Sequence, residues 1–182
     1  MNKRNEIIVG AARIFEAEGF RGVGVDRVIA PVGVSTRTLY KHFGTRDGLV
    51  IAVLEARHRA FMARLAEETA NADPIGSLFD TLQCWLEQHG ARGCMLLRAR
   101  SEYSEASPEI VSLVGQQKGE FRDEIAKRVR RVLGYDDAHL SAQIWILFEG
   151  ATAAASVASH ALTNDARDAA LLLVDIARAR NG

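Results

Sequence analysis

The 182-residue chain is 48% hydrophobic with only three prolines, which excludes a disordered chain and supplies a core for one compact unit or for a small domain joined to a larger one. Lys plus Arg equals Asp plus Glu at 23 each, so the chain is formally neutral and any contact with nucleic acid has to be local. Residues 1–48 hold eight basic against five acidic side chains, a modestly basic head on a body that carries the acidic remainder.

The first helical stripe is Ile7, Ile8, Ala11, Ile14 and Phe15. Gly19 is a suitable residue to end that helix, with Phe20 folding back on Phe15 as the apolar contact of a Schellman ending. Lys3 and Arg4 either reach toward a phosphate backbone or lie in a frayed terminus.

Val25, Val28, Ile29 and Val32 then fall at i, i+3, i+4 and i+7. Pro31 stops this second helix, and Gly33 supplies the positive φ of a tight turn. Ser35 is placed to cap a third helix through the N–H of Arg37 or Thr38, and Val34 and Leu39 have the spacing of a hydrophobic staple. With Leu39 and Phe43 facing inward, Thr36, Arg37, Tyr40 and Lys41 share the outward face, which suits a groove lined by phosphates. Singly, each is an ordinary surface residue. The argument for DNA rests on stripe, break, glycine turn, cap, staple and polar face occurring in one short stretch.

The run Gly-Val-Ser-Thr-Arg-Thr-Leu-Tyr-Lys-His-Phe (33–43), followed by Gly-Thr-Arg-Asp-Gly-Leu, resembles the DNA-binding segment of TetR-type transcriptional regulators, and Ala11–Phe20 resembles the first helix of the same domain. The resemblance covers about the first third of the chain. The sequence departs from the family's usual pattern at Gly24, where a threonine cap is common, at Ile29, where alanine is common, and at Arg37, where glycine is frequent. The resemblance implies an all-α fold, with a three-helix DNA-binding domain over residues 1–48 and a helical effector-binding and dimerisation domain over 49–182. The expected DNA-facing residues are Arg27, Ser35, Thr36, Arg37, Thr38, Tyr40, Lys41, His42, Thr45 and Arg46.

Thr45 can cap a long fourth helix, with Val50, Val53, Leu54, Phe61 and Leu65 on its stripe and a run to about Ala70. Asp73-Pro74 and Ser107-Pro108 read as caps followed by N1 prolines, starting the fifth and seventh helices, with a short sixth from about Cys94 to Ser104. The seventh, ending near Gly134, contains Gly115 and Gly119, which requires either a closely approaching backbone or a bend beside a cavity. Asp136 or Asp137 starts an eighth helix. The run Ile144–Leu162, interrupted by Glu149 and His160, reads as packed helix and not as a membrane span. Thr163-Asn164-Asp165 is a break and cap before a ninth helix, about Ala166–Ala179, whose Leu171, Leu172, Leu173, Val174 and Ile176 exceed what one core-facing side requires. The count is about nine helices with no strand.

The resemblance further implies a small-molecule pocket in the body and a homodimer through the last two helices, reading a double-stranded operator as two half-sites. Candidate ligand contacts are the aromatics Trp85, Tyr103, Phe121, Trp145 and Phe148, each more ordinarily a core residue. His89, Met95, Arg98 and Gln117 complete the set, and an inward-facing Arg98 would favour an anionic ligand. Cys84 and Cys94 form neither a disulfide framework nor a zinc pattern and read as small core residues in a reducing compartment. No signal peptide is expected, so the location is cytoplasmic. The five histidines build no metal-ligand pair and no nucleophile elbow, P-loop or dinucleotide turn is present, so neither catalysis nor a cofactor is expected. The alternatives are a helical interaction protein and a DNA binder without an effector.

Overall fold

The computed structural model describes residues 2–67 and 73–181. Among them are nine α-helices, one 3-10 turn and no strand: α1 (Lys3–Glu18), α2 (Val25–Ile29), the 3-10 turn Ala30–Val32, α3 (Thr36–Phe43), α4 (Arg46–Glu67), α5 (Gly76–His89), α6 (Met95–Glu102), α7 (Pro108–Leu133), α8 (Ala138–Ala155) and α9 (Leu162–Asn181). The expected extension of α4 to Ala70 lies outside the described residues.

The helices group into two compact units, Met1–Ala60 with Met95–Gln116, and Phe61–Cys94 with Gln117–Gly182. The expected boundary after residue 48 therefore differs from the division seen in the packing. It falls inside α4, whose Leu49, Val50, Ala52, Val53 and Leu54 are buried in the core of the first unit.

In the first unit, Ile7, Ile8, Ala11 and Phe15 of α1 pack with Val28, Ile29 and Leu39. Asn2 caps α1 by accepting from the Arg4 N–H, so the helix start is ordered. Lys3 pairs with Glu6 at 2.6 Å, and the Arg4 guanidinium lies 5.3 Å from the centre of the Phe43 ring, so both cations are engaged within the unit. Gly19 ends α1 at φ +83°, with the Phe15 and Phe20 rings 5.0 Å apart as expected.

The second bond of a Schellman ending is replaced, however. The Phe20 and Arg21 N–H groups donate to the Glu102 carboxylate at 2.9 and 2.7 Å. The carbonyls of the same turn are met by Arg46, whose guanidinium donates to Phe20 O, to Val23 O at 2.9 Å and to the Tyr103 hydroxyl at 2.6 Å. A carboxylate and a guanidinium thus satisfy the donors and acceptors of one turn, which the chain alone leaves unpaired. Arg98 adds a bond to Glu16 O at 3.1 Å. The Arg57–Glu16 pair, at 2.5 Å and mostly buried, joins α4 to α1; burial pushes the Arg57 guanidinium down and Glu16 pulls it back up.

In the second unit, Leu78, Phe79, Leu82 and Leu86 of α5 meet Phe121, Ile125 and Val129 of α7, Leu140, Ile144 and Phe148 of α8, and Ala170 and Val174 of α9. Asp73 does cap the start of α5, accepting from the Gly76 N–H at 2.7 Å, although regular helix begins only at Gly76. Asp137 caps α8 through the Leu140 N–H. The expected helix over Ile144–Leu162 stops at Ala155, because the hydroxyls of Ser156 and Ser159 bond local backbone at Ala153 O and the Ala161 N–H. Thr163, Asn164 and Asp165 consequently lie inside the first turn of α9 and not before it. Arg128, 3% exposed, donates to Leu65 O, Pro74 O and the Ser77 hydroxyl, and pairs with Glu124.

Of the two expectations for the α7 glycines, the close backbone is not seen: a Cβ added at Gly115 or Gly119 meets nothing within 4 Å. Gly119 does lie beside an open cavity, lined also by Arg122, Asp123 and Ser141, and α7 runs as one helix through both glycines. At Gly48 an added Cβ would lie 2.2 Å from the Phe43 carbonyl oxygen, a backbone atom that cannot swing aside.

Two outcomes follow from these contacts. Gly48→Ala, despite its better helix propensity, should cost about 1–3 kcal/mol through the clash, whereas Gly119→Ala should stabilise by about 0.5–1 kcal/mol; urea unfolding measures both. Burial holds the Tyr103 phenol above its ordinary value of 10.0, with the Arg46 guanidinium acting in the opposite sense. The folded state therefore keeps this proton to higher pH than the unfolded chain. Its contribution is complete below about pH 10 and is lost as pH rises through the folded value. Tyr103→Phe should cost about 1.5–3 kcal/mol at neutral pH by orphaning a donor of Arg46, and should flatten the alkaline decline in unfolding free energy.

Candidate nucleic-acid interface

The interface candidates lie on α2, α3 and the start of α4, and local chemistry sets their directions. Gly33 sits at φ +64°, in the left-handed region that lets the chain reverse between the 3-10 turn and α3. Ser35 then accepts from the Thr38 N–H at 3.2 Å, starting α3. Leu39 is fully buried and Phe43 packs against the same core, which turns the opposite side of α3 outward. A close approach supports this arrangement from behind: a Cβ on Gly10 of α1 would meet the Val32 side chain at 2.5 Å.

On the outward side Arg37, Tyr40 and Lys41 are exposed, Tyr40 by 43%. Among the described residues their side chains have no hydrogen-bond or ion-pair partner, so two cations and a phenol are left available on two turns of helix. Thr36 is half-buried and donates to Asp26 at 3.3 Å. The hydroxyls of Ser35 and Thr38 face each other at 2.9 Å, and the exposed Thr45 accepts from the Gly48 N–H at the start of α4. His42 is half-buried with its ring 6.2 Å from that of Phe43.

Two residues depart from the expected set. Arg27 is exposed but engaged with Glu18, at 2.7 and 3.1 Å, which offsets its charge. Arg46 is directed into the unit and bound to the turn after α1, so its guanidinium is a structural donor and not a surface cation. Sequence reading missed Glu18, Asp26 and Glu102. The first two are close enough in sequence to be found as acids beside the basic stretch, but Glu102 lies 82 residues from Phe20 and left no local signal.

The expected ligand residues do not belong to one unit. Met95, Arg98 and Tyr103 lie in the first. There Arg98 bonds the α1 backbone and Tyr103 accepts from Arg46, which removes the expected cation for an anionic ligand. Trp85, His89, Gln117, Phe121, Trp145 and Phe148 lie in the second. Phe61 is the centre of an aromatic cluster there, 5.2 Å from Trp85, 5.9 Å from Phe121 and 6.0 Å from Phe148, and the Trp85 and His89 rings stack at 4.0 Å.

The last two helices keep an apolar outer side. Ile146 is 63% exposed, with the exposed Gly150 and Ala153 one and two turns on, and Leu172 and Ile176 of α9 are 62% and 41% exposed. Cys84 is exposed and Cys94 half-exposed, so neither is the buried core residue expected. No helix among the described residues is long and apolar enough to cross a membrane.

Residues 7–53 match the family described as bacterial regulatory proteins, tetR family. The chain is 22% identical over 139 residues to the HTH-type transcriptional regulator TcmR of Streptomyces glaucescens, covering 73% of this chain and 61% of that one. It is 28% identical over 142 residues to the HTH-type transcriptional repressor NicS of Pseudomonas putida, covering 67% of each. The match to TcmR thus spans less than two thirds of that relative. In fold, the chain is similar to the crystal structure of a TetR-family transcriptional regulator from Streptomyces coelicolor, with a TM-score of 0.85 at 24% identity over 97% of this chain and 96% of that one. A second similar structure, a regulator from Saccharomonospora viridis in complex with choline, has a TM-score of 0.76 at 17% identity, covering 94% and 95%. The helix-turn-helix geometry, the exposed face of α3 and the matched segment agree: residues 7–53 form a DNA-binding domain of the tetR type, and the chain as a whole has the fold of TetR-family regulators.

Proposed function

We propose that the protein is a sequence-specific DNA-binding regulator that acts as a homodimer and is released from its operator by a small molecule bound in the second unit. The observation that carries this reading is the outward side of α3, where Arg37, Tyr40 and Lys41 are exposed and, among the described residues, unpaired, while Arg27 and Arg46 nearby are engaged. Arg37 and Lys41 supply phosphate or base-edge donors, and Tyr40 supplies a hydroxyl with an aromatic face. Thr36, Thr38 and His42 lie beside them, and the hydroxyls of Ser35 and Thr45 sit at helix N-termini where backbone N–H groups favour a phosphate. Arg27 and Arg46 are set aside as direct contacts because Glu18 and the α1–α2 turn hold them.

A single helix of this size reads few base pairs, so specificity requires a second copy with recognition helices about 34–36 Å, or a multiple of that, apart. The apolar outer side of α8 and α9, with Ile146, Leu172 and Ile176 exposed, is the surface that such a copy would cover. The choline complex of the Saccharomonospora neighbour and the repressor NicS support an effector-released repressor as the specific form. Helix α4 belongs to the first unit up to Ala60 and to the second from Phe61, so it is a direct mechanical connection for the linkage. A coupling of about 1–3 kcal/mol would change DNA affinity roughly 5- to 150-fold.

Gel shifts on fragments of the source genome with competitor DNA test the reading. Wild type should retard particular fragments at moderate salt, and failure to retard any would overturn it. Lys41→Ala should weaken binding uniformly and reduce the salt slope by about 0.9 if it meets one phosphate, with unfolding free energy within about 0.5 kcal/mol of wild type. Leu172→Glu should convert a dimer in sedimentation experiments to a monomer and lower operator affinity in parallel.

A further inference from the structure

Among the described residues, the second unit carries a group of polar atoms that its own packing leaves unsatisfied. Lys118 of α7 donates to Glu149 of α8 at 2.5 Å, with both side chains about 85% buried, and the other carboxylate oxygen of Glu149, Oε2, is buried without a partner. Gln117, next to Lys118 and only 3% exposed, has its Oε1 buried and unpaired. The indole Nε1 of Trp145, one turn before Glu149, is a buried donor with nothing to donate to. Their side chains lie on two helices that pack against each other. Phe121, one turn after Gln117, packs on Phe148 with ring centres 4.5 Å apart, and Phe148 lies between Trp145 and Glu149 in sequence. The Arg122 guanidinium covers the Trp145 ring at 5.1 Å. The seam therefore runs antiparallel along α7 and α8, from Lys118–Glu149 through Phe121–Phe148 to Arg122–Trp145.

A buried donor or acceptor left unpaired costs about 1–3 kcal/mol, so three on one pair of helices call for a ligand or water that satisfies them. Two are acceptors and one is a donor, and the rings of Phe121 and Phe148, with Phe61 against both, pack on the same pair of helices. We propose that this seam is the effector subsite and that it selects an aromatic molecule bearing a hydroxyl group. A hydroxyl donates its proton to Gln117 Oε1 or Glu149 Oε2 and accepts from the Trp145 indole N–H, while the ring joins the phenylalanine cluster. A carboxylate cannot donate to either acceptor and meets the partly uncompensated Glu149, and an unsubstituted hydrocarbon leaves all three atoms unsatisfied. The inference rests on the regulator reading only for the consequence of binding; the selectivity itself is a property of the seam.

The test uses the full chain and three probes of one shape: 4-propylphenol, 4-propylbenzoate and propylbenzene. Tryptophan fluorescence and melting temperature are read at equal free concentration. The phenol should bind at least tenfold more tightly than either analogue. Gln117→Leu and Trp145→Phe, which alter no charge, should each erase most of that preference while the circular dichroism of the free protein stays that of wild type. Equal or tighter binding of the benzoate or the hydrocarbon, absence of binding by all three, or an undiminished preference in both folded variants would overturn the subsite. Adding the phenol to an operator gel shift then separates the two readings. Selective binding without release of DNA upholds the subsite and removes effector release, and a chain that binds the phenol but no DNA fragment removes the regulator reading alone.

Discussion

The direction of α3 depends on how the turn between α1 and α2 is held. That turn presents N–H groups at Phe20 and Arg21 and carbonyls at Phe20 and Val23, and no helix or neighbouring strand satisfies them. Glu102 takes the donors and Arg46 takes the carbonyls, with Tyr103 binding Arg46 in turn. Charge-assisted bonds of this kind are stronger than neutral ones, and their geometry is directional. The turn sets where α2 begins, α2 and Gly33 set the direction of α3, and the side of α3 opposite Leu39 is the surface proposed to meet DNA. The positioning of that exposed surface thus rests on a part-buried polar set elsewhere in the same unit.

The second unit uses its polar groups differently. Arg128 fills a structural site, with backbone carbonyls of Leu65 and Pro74, a hydroxyl and a carboxylate around one guanidinium. Such a site rigidifies the packing because four bonds from different elements hold one group. The α7–α8 seam near Lys118 has an ion pair at its centre but leaves capacity unused on either side. Both cations lie on α7, but the carboxylate that meets Lys118 keeps one oxygen without a partner among the described residues. That contrast distinguishes a site built to hold the fold from one with capacity for something else.

Much of the head was legible in the sequence because its signals are local. The stripe of Val25, Val28 and Ile29, the glycine turn at 33 and the cap at Ser35 act within a few residues, and each is where the periodicity and turn chemistry put it. The body was legible in its helix starts, where Asp73, Pro108 and Asp137 act on the next turn. It was less so in its helix ends, because the competing serine hydroxyls at 156 and 159 look much like ordinary helix residues. The site was harder. Periodicity puts Arg46 at the outer start of α4, but the side chain is long enough to turn back to the end of α1, and its partner Tyr103 is 57 residues away. Arg98 reads as a cavity cation and is a brace for α1. In both cases the deciding partner is remote in sequence, and no spacing rule reaches it.

That remoteness has a consequence for how the chain is made and how its parts can be exchanged. A ribosome finishes the helix-turn-helix long before it reaches Glu102 and Tyr103, so the nascent head has its apolar core but lacks the groups that match its first turn. Its first turn stays unmatched until α6 emerges and docks, a non-local closure of the kind that slows folding. A chimera that transfers residues 1–60 to another regulator would carry the reading surface without the side chains that orient it. The smallest transferable head is therefore discontinuous in sequence, and α6 has to travel with it.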